Sequence, residues 1–150
     1  MRIFVTGVNG QLGHDVMLEL KKRGHEAIGS GSGEKYTGTD AAADMPYCRL
    51  DVTDPEAVSS TISRLGPDAV IHCSAWTAVD AAEDEANRAR VRALNVTAPG
   101  NIARVCADLG AGMVYLSTDY VFSGNGERPW EPDETDFAPL NQYGLTKLEG

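Results

Sequence analysis

At 150 residues with 42% hydrophobic content, the chain is long enough for one domain with a real core and too apolar for a disordered segment. Its formal net charge of -9 would repel phosphate backbones, which argues against a nucleic-acid partner. Cys48, Cys73 and Cys106 stand far apart with no Cys-x-x-Cys pair, the pattern of reduced thiols in a cytoplasmic protein, and no metal-ligand cluster is visible. The first apolar run, Ile3-Phe4-Val5, is too short for a signal peptide, and no later run is long enough to span a membrane.

In chain order, Arg2 to Thr6 reads as a strand, and Gly10 to Lys22 as a helix with Leu12, Val16 and Leu20 at helical spacing. Gly24 stops that helix, and His25 to Ile28 is the expected second strand. Residues 29–46 hold mostly small and polar residues and read as a loop. Tyr47 to Leu50 is a third strand, and Asp54 with Pro55 opens a helix that reaches about Leu65. Asp68 to Cys73 is a buried strand. Glu83 to Leu109 is mostly helical, with Pro99-Gly100 expected to break or restart the helix. Gly112 to Ser117 is a fifth strand, 119–140 a long loop with Pro129, Pro132 and Pro139, and a last helix starts at Asn141. Apolar runs alternating with helices predict an α/β fold, a Rossmann-type doubly wound parallel sheet of order 3-2-1-4-5. The chain stops inside its last helix, at Lys147-Leu148-Glu149-Gly150, so 1–150 is expected to be a truncated dinucleotide-binding domain whose substrate domain is not present.

Two local patterns carry chemistry. Thr6-Gly7-Val8-Asn9-Gly10-Gln11-Leu12-Gly13 follows a strand and opens a helix, as a phosphate cradle requires. Gly7 permits the tight turn, Gly10 gives the backbone access to a pyrophosphate, and Gly13 lets helix pack on strand. The free N–H groups of the helix start, at Gln11 and Leu12, then face the anion. The second strand ends in Ile28-Gly29-Ser30-Gly31, with no carboxylate for a ribose 2′-hydroxyl before Glu34. Ser30 or Lys35 would tolerate a 2′-phosphate, so both NADPH and NADH are admitted. Tyr143 and Lys147 lie four apart on the last helix and share a face. A lysine ammonium beside a phenol makes tyrosine a workable proton donor to a developing alkoxide.

The glycine turn with Tyr143-x-x-x-Lys147 resembles the extended short-chain dehydrogenase/reductase family. Three segments resemble, more narrowly, the dTDP-4-dehydrorhamnose reductase family: Ala75-Trp76-Thr77-Ala78-Val79-Asp80, Ser117-Thr118-Asp119-Tyr120-Val121-Phe122 and Pro139-Leu140-Asn141-Gln142-Tyr143-Gly144-Leu145-Thr146-Lys147. The resemblance implies that Tyr143 gives a proton to the sugar C4 oxygen and that Lys147 holds the nicotinamide ribose. It implies that Thr118 hydrogen-bonds the carbonyl and that Asp119 touches the sugar; the alternative for both is a plain turn. Ser74, Ala75 and Trp76 are implied to line the cofactor, with Trp76 as core the alternative. Asp51 and Val52 are implied to grip adenine, with a turn or helix cap the alternative for Asp51. Asn95 is implied to organise water near Lys147, against a merely exposed helical Asn. The implied partner is a small nucleotide sugar, with no nucleic acid and no membrane; a homodimer and magnesium are admitted by the resemblance alone. Tyr120 stands where dehydratases carry a second carboxylate, which favours ketone reduction over elimination. Other nucleotide-sugar epimerases or dehydratases remain the alternative enzymes. A non-catalytic protein like the regulatory subunit of methionine adenosyltransferase is the alternative from another class.

Overall fold

The computed structural model describes residues 1–38 and 44–150; part of the expected 29–46 loop lies outside the described residues. Five parallel strands form one sheet of order β3-β2-β1-β4-β5, as expected. They are β1 (Arg2–Thr6), β2 (Glu26–Gly31), β3 (Tyr47–Arg49), β4 (Ala69–His72) and β5 (Gly112–Tyr115). Strand alternation sends Ile3 and Val5 to one face and Phe4 to the other. On the first face, helix α1 (Gln11–Lys22) buries Met17 and Leu20 against Ile3, Val5 and Ala27. On the second, Phe4 and Val70 pack against Val58 and Ile62 of α2 (Pro55–Leu65) and Ile102 and Val105 of α5 (Ala98–Leu109). A parallel sheet covered on both faces explains why the central strands read as continuous apolar runs.

Strand β2 runs three residues beyond its expected end. Gly29, Ser30 and Gly31 pair with Tyr47, Cys48 and Arg49, so sheet pairing overrides their loop-like composition. A Cβ at Gly29 would press on the Val8 and Met17 side chains at 3.0–3.1 Å, so this stretch of strand is built from small residues.

The expected break or restart at Pro99-Gly100 takes the form of a restart, at Ala98. Helix α3 (Val79–Ala82) ends before Asp84, which caps α4 (Glu85–Arg92) through a bond from Ala86 N–H. A π-helical turn, Ala93–Thr97, then leads straight into α5, with Pro99 at its second residue. A proline ring ordinarily clashes with the carbonyl four residues back. Here that carbonyl belongs to Asn95 inside the π turn, where it is turned out and accepts from the Tyr115 hydroxyl at 3.4 Å.

The last helix, α6 (Gln142–Glu149), is capped by Asn141, whose side chain accepts from Gly144 N–H at 2.7 Å. Glu83 accepts from Gln142 N–H at the same end, at 2.7 Å. The long 119–140 connection folds on itself: after a 3-10 turn at Asp119–Val121, Phe122 stacks on Trp130 at 4.4 Å and meets Phe137 at 5.4 Å. Among the described residues, no helix is long and apolar enough to cross a membrane.

Candidate functional site

The glycine turn sits at the carboxyl ends of the strands, where the neighbouring strands β1 and β4 part. Gly7 holds φ +74, and an added Cβ there would lie 2.8 Å from Ser74 N. At Gly13 a Cβ would lie 2.3 Å from the Gly7 carbonyl oxygen, so only glycine lets α1 approach this closely. At Gly10 the only protein atom near a Cβ is the Gly7 oxygen, at 3.3 Å. The protein therefore leaves the space above Gly10 open.

Helix α1 also differs at its start from α2, α4 and α6; α5 likewise has no side-chain cap or acidic first turn, but it continues the π turn, whereas α1 begins afresh after the glycine turn. Asp54, Asp84 and Asn141 cap α2, α4 and α6, but no side chain caps α1 and its first turn holds no acidic residue. The start of α1, at Gln11 and Leu12, thus has no side-chain cap for its N–H groups, the setting in which a helix dipole favours an anion.

Two cavities meet at this turn and share Gly7, Gly10, Cys73 and Ala75 as walls. The first, about 430 Å³, runs toward Gly31, Ser32, Asp51, Val52 and Arg90. The second, about 440 Å³, runs past Gln11, Leu12 and Gly13 to Ser117, Tyr143 and Lys147. Together they form a bent trough with the glycine turn at its middle.

Most of the expected site residues line this trough. Ser74 and Val52 do so in the first cavity, and Ala75 in both. Asp51 lines it while also capping its own turn: its carboxylate accepts from Thr53 N–H at 2.9 Å and from the Thr53 hydroxyl at 2.7 Å. Those bonds hold its pKa below the usual carboxylate value.

Ser30 does not reach the trough. It is fully buried, and its hydroxyl donates to the Val5 carbonyl at 3.3 Å. The longer β2 brings Gly31 and Ser32 to the wall instead. Trp76 is neither core nor cavity wall among the described contacts. Its indole N–H donates to Ala78 O at 2.9 Å, and Arg90 lies over its ring at 5.9 Å. Asn95 is buried, not exposed. Its side chain accepts from Trp76 N–H at 2.8 Å and donates to Trp76 O at 3.1 Å and Thr146 Oγ1 at 3.2 Å. The π turn thus ties the wall after β4 to α6.

Lys147 is 4% exposed, with its ammonium 4.0 Å from the centre of the Tyr115 ring. Burial pushes its pKa down from 10.5 to about 8. Burial, with Tyr143 nearby, pushes Tyr115 up to about 12. Thr118 and Asp119 line neither cavity of the trough, although Ser117 just before them lines the second. The Thr118 hydroxyl accepts from Tyr120 N–H at 3.2 Å and donates to the Asp119 carboxylate at 3.2 Å. Asp119 lines a different hollow of about 280 Å³ with Tyr120 and Leu140, which shares no wall residue with the trough. Tyr143 meets Tyr120 edge-on at 5.7 Å. The neighbouring Gly144 fits because a Cβ would lie 2.2 Å from Tyr120 O.

Sequence reasoning missed Ser32, Arg90, Tyr115, Ser117 and His72. For His72 one signal existed: a histidine closing the buried run Ala69-Val70-Ile71. Among the described residues, no group of three or more His, Cys, Asp or Glu side chains could hold a metal ion.

This fold, with its trough over a glycine turn and a Tyr-x-x-x-Lys helix at one end, has the architecture of the extended short-chain dehydrogenase/reductase type. Residues 1–150 match the family model described as the RmlD substrate binding domain. The chain belongs to the RmlD family of dTDP-4-dehydrorhamnose reductase-like proteins. It is 39% identical over 150 residues to the probable low-salt glycan biosynthesis reductase Agl14 of Haloferax volcanii, covering 100% of this chain and 47% of that one. It is 38% identical over 151 residues to a dTDP-4-dehydrorhamnose reductase of Shigella flexneri, covering 100% of this chain and 45% of the other. The solved dTDP-4-dehydrorhamnose reductase of Bacillus anthracis, in complex with NADP, superposes with a TM-score of 0.75 at 32% identity, over 99% of this chain and 46% of that one. The chain spans about half the length of the curated relatives it matches.

Proposed function

We propose that this chain is the cofactor-holding part of a reductase that uses NADPH or NADH to reduce dTDP-4-dehydro-L-rhamnose to dTDP-L-rhamnose. The observation that carries the reading is the bent trough, which has an open anion site at its middle and Tyr143 and Lys147 at one end. The residues fit a dinucleotide: the uncapped start of α1 and the open space above Gly10 suit a pyrophosphate. Ser74 and Val52 border the adenosine end, and the α1 start borders the nicotinamide end. At the end of β2, Gly31-Ser32-Gly33 offers no carboxylate to repel a 2′-phosphate, and Arg90 puts a cation on the same wall, so NADPH is accepted. The NADP complex of the Bacillus anthracis relative supports this choice.

When bound, the cofactor supplies a hydride to the ketone carbon. Tyr143 holds at its Oη the proton that the C4 oxygen takes up, so ketone becomes alcohol with one hydride and one proton consumed. Lys147, held by α6 over Tyr115, lies one helical turn from Tyr143, where its charge steadies a developing phenolate and its N–H groups meet the ribose hydroxyls. The Thr118 hydroxyl turns from its own capping bond to the ketone oxygen, and Asp119 faces the sugar.

The test follows NADPH and NADH absorbance with dTDP-4-dehydro-L-rhamnose, and with other 4-keto nucleotide sugars because one relative is named for glycan biosynthesis. It is run on this chain and on the longest natural chain that contains it. Oxidation that falls about 10²-fold or more in Tyr143→Phe, with cofactor affinity kept, supports the reading; normal turnover in that variant refutes the proton-donor role. A stoichiometric protein partner with no oxidation of either cofactor would favour the regulatory alternative.

A further inference from the structure

The strand register sets a row of polar residues across the carboxyl ends of the sheet. Thr6 of β1 pairs with His72 of β4, and His72 pairs with Tyr115 of β5. All three face the α5 and α6 side, as does Phe4 two residues before Thr6. Within the row, Thr6 Oγ1 and His72 Nδ1 are 2.8 Å apart, and Thr6 Oγ1 also accepts from Ser74 N–H at 3.3 Å. The His72 and Tyr115 rings stack at 6.4 Å, and the Lys147 ammonium rests on the same Tyr115 ring.

One buried atom beside that ring lacks a hydrogen-bond partner, and the nearby lysine lacks an ion-pair partner. His72 Nε2 is the one buried side-chain nitrogen or oxygen among the described residues with no hydrogen-bond partner. Lys147 has no ion-pair partner among the described residues, although it is 4% exposed. The two sense each other, since the Lys147 charge helps to push the pKa of His72 down. A bare imidazole nitrogen is an acceptor, and an ammonium has three donors. The opposite tautomer would bury an unpaired N–H next to a positive charge, which costs free energy twice over.

We propose that His72 is the positioning residue for Lys147: with its proton on Nδ1 and donated to Thr6, its Nε2 accepts from the Lys147 ammonium through one internal water. The groups facing Lys147 are then His72 from β4, Tyr115 from β5 and Tyr143 from α6. Thr6 links the arrangement to Ser74 on the trough wall, so the cofactor floor and the lysine are set by one buried row. The consequence for ketone reduction rests on the function proposed above; the contact itself does not.

Long-range ¹H–¹⁵N spectra of the full chain report the His72 tautomer directly. A proton on Nδ1 is expected, and a proton on Nε2 overturns the proposal. The ¹³Cε signal of Lys147 is then followed against pH. His72→Leu removes the acceptor and is expected to lower the Lys147 midpoint by about one pH unit, while His72→Gln, which keeps an acceptor at that distance, returns it toward wild type. An unchanged midpoint in His72→Leu, or a Gln variant that behaves like Leu, overturns the proposal. If the Leu variant fails to fold, the wild-type tautomer and the Gln titration decide alone. None of these signals needs cofactor turnover, so a chain that fails the reductase assay still tests the role of His72.

Discussion

Acid should destabilise the folded chain through His72 in particular. The side chain is 2% exposed, and burial, with the Lys147 charge added, pushes its pKa from 6.5 down to about 4. The unfolded chain takes up this proton near pH 6.5; the folded chain refuses it until about pH 4. Above pH 6.5 both states are neutral at this residue, and its contribution to stability is complete. Between about 6.5 and 4 the unfolded state binds more protons, so stability falls as pH falls. At about 1.4 kcal/mol per pKa unit, the window is worth about 3 kcal/mol. That is a large share of the ~5–15 kcal/mol by which a domain is typically stable. Urea denaturation at pH steps from 7 to 4, on wild type and His72→Gln, isolates the effect because the carboxylates titrate in both. The gap between the two proteins should move by about 3 kcal/mol in favour of the variant as pH drops. A gap that stays flat within about 0.5 kcal/mol would refute the reasoning that burial keeps His72 neutral.

Other substitutions probe the packing that shapes the site. Gly13→Ala places a methyl group 2.3 Å from the Gly7 carbonyl oxygen, a backbone atom that cannot step aside. It should cost about 2 kcal/mol or more and distort the anion site; thermal unfolding and NADPH affinity should both show it. Asn95→Ala leaves the Trp76 N–H without its acceptor and frees α6 from the π turn. A loss of about 1–3 kcal/mol is expected in urea denaturation, with faster hydrogen exchange at Trp76.

What could be read from the sequence was the information carried locally. The strand order followed from apolar runs alternating with helices. The phosphate cradle followed from three glycines between a strand and a helix, and the Tyr143-Lys147 face from a spacing of four. What stayed hidden depends on partners distant in the chain. Ser30 read as loop just past a strand because the order 3-2-1-4-5 sets β3 beside β2 but not how far their pairing extends; that pairing buries Ser30 and moves Ser32 to the wall. Pro99 marked a break or restart, but the π turn that precedes the restart and the Tyr115 hydroxyl beside it are tertiary features that the sequence did not show. Asn95 looked equally suited to solvent until the loop after β4 closed on it. His72 gave only the signal of a histidine closing an apolar run, since its meaning comes from the register that sets it between Thr6 and Tyr115.

Everything proposed for the site depends on a dinucleotide lying along the trough with its pyrophosphate on the start of α1. Titrating NADPH into the ¹⁵N-labelled chain and following the backbone amides tests that placement most directly. The largest shifts are expected at Gly10, Gln11, Leu12 and Gly13, with Ser32 and Val52 moving at one end and Tyr143 and Lys147 at the other. Shifts confined to residues outside the two cavities, or none at a saturating concentration, would contradict it.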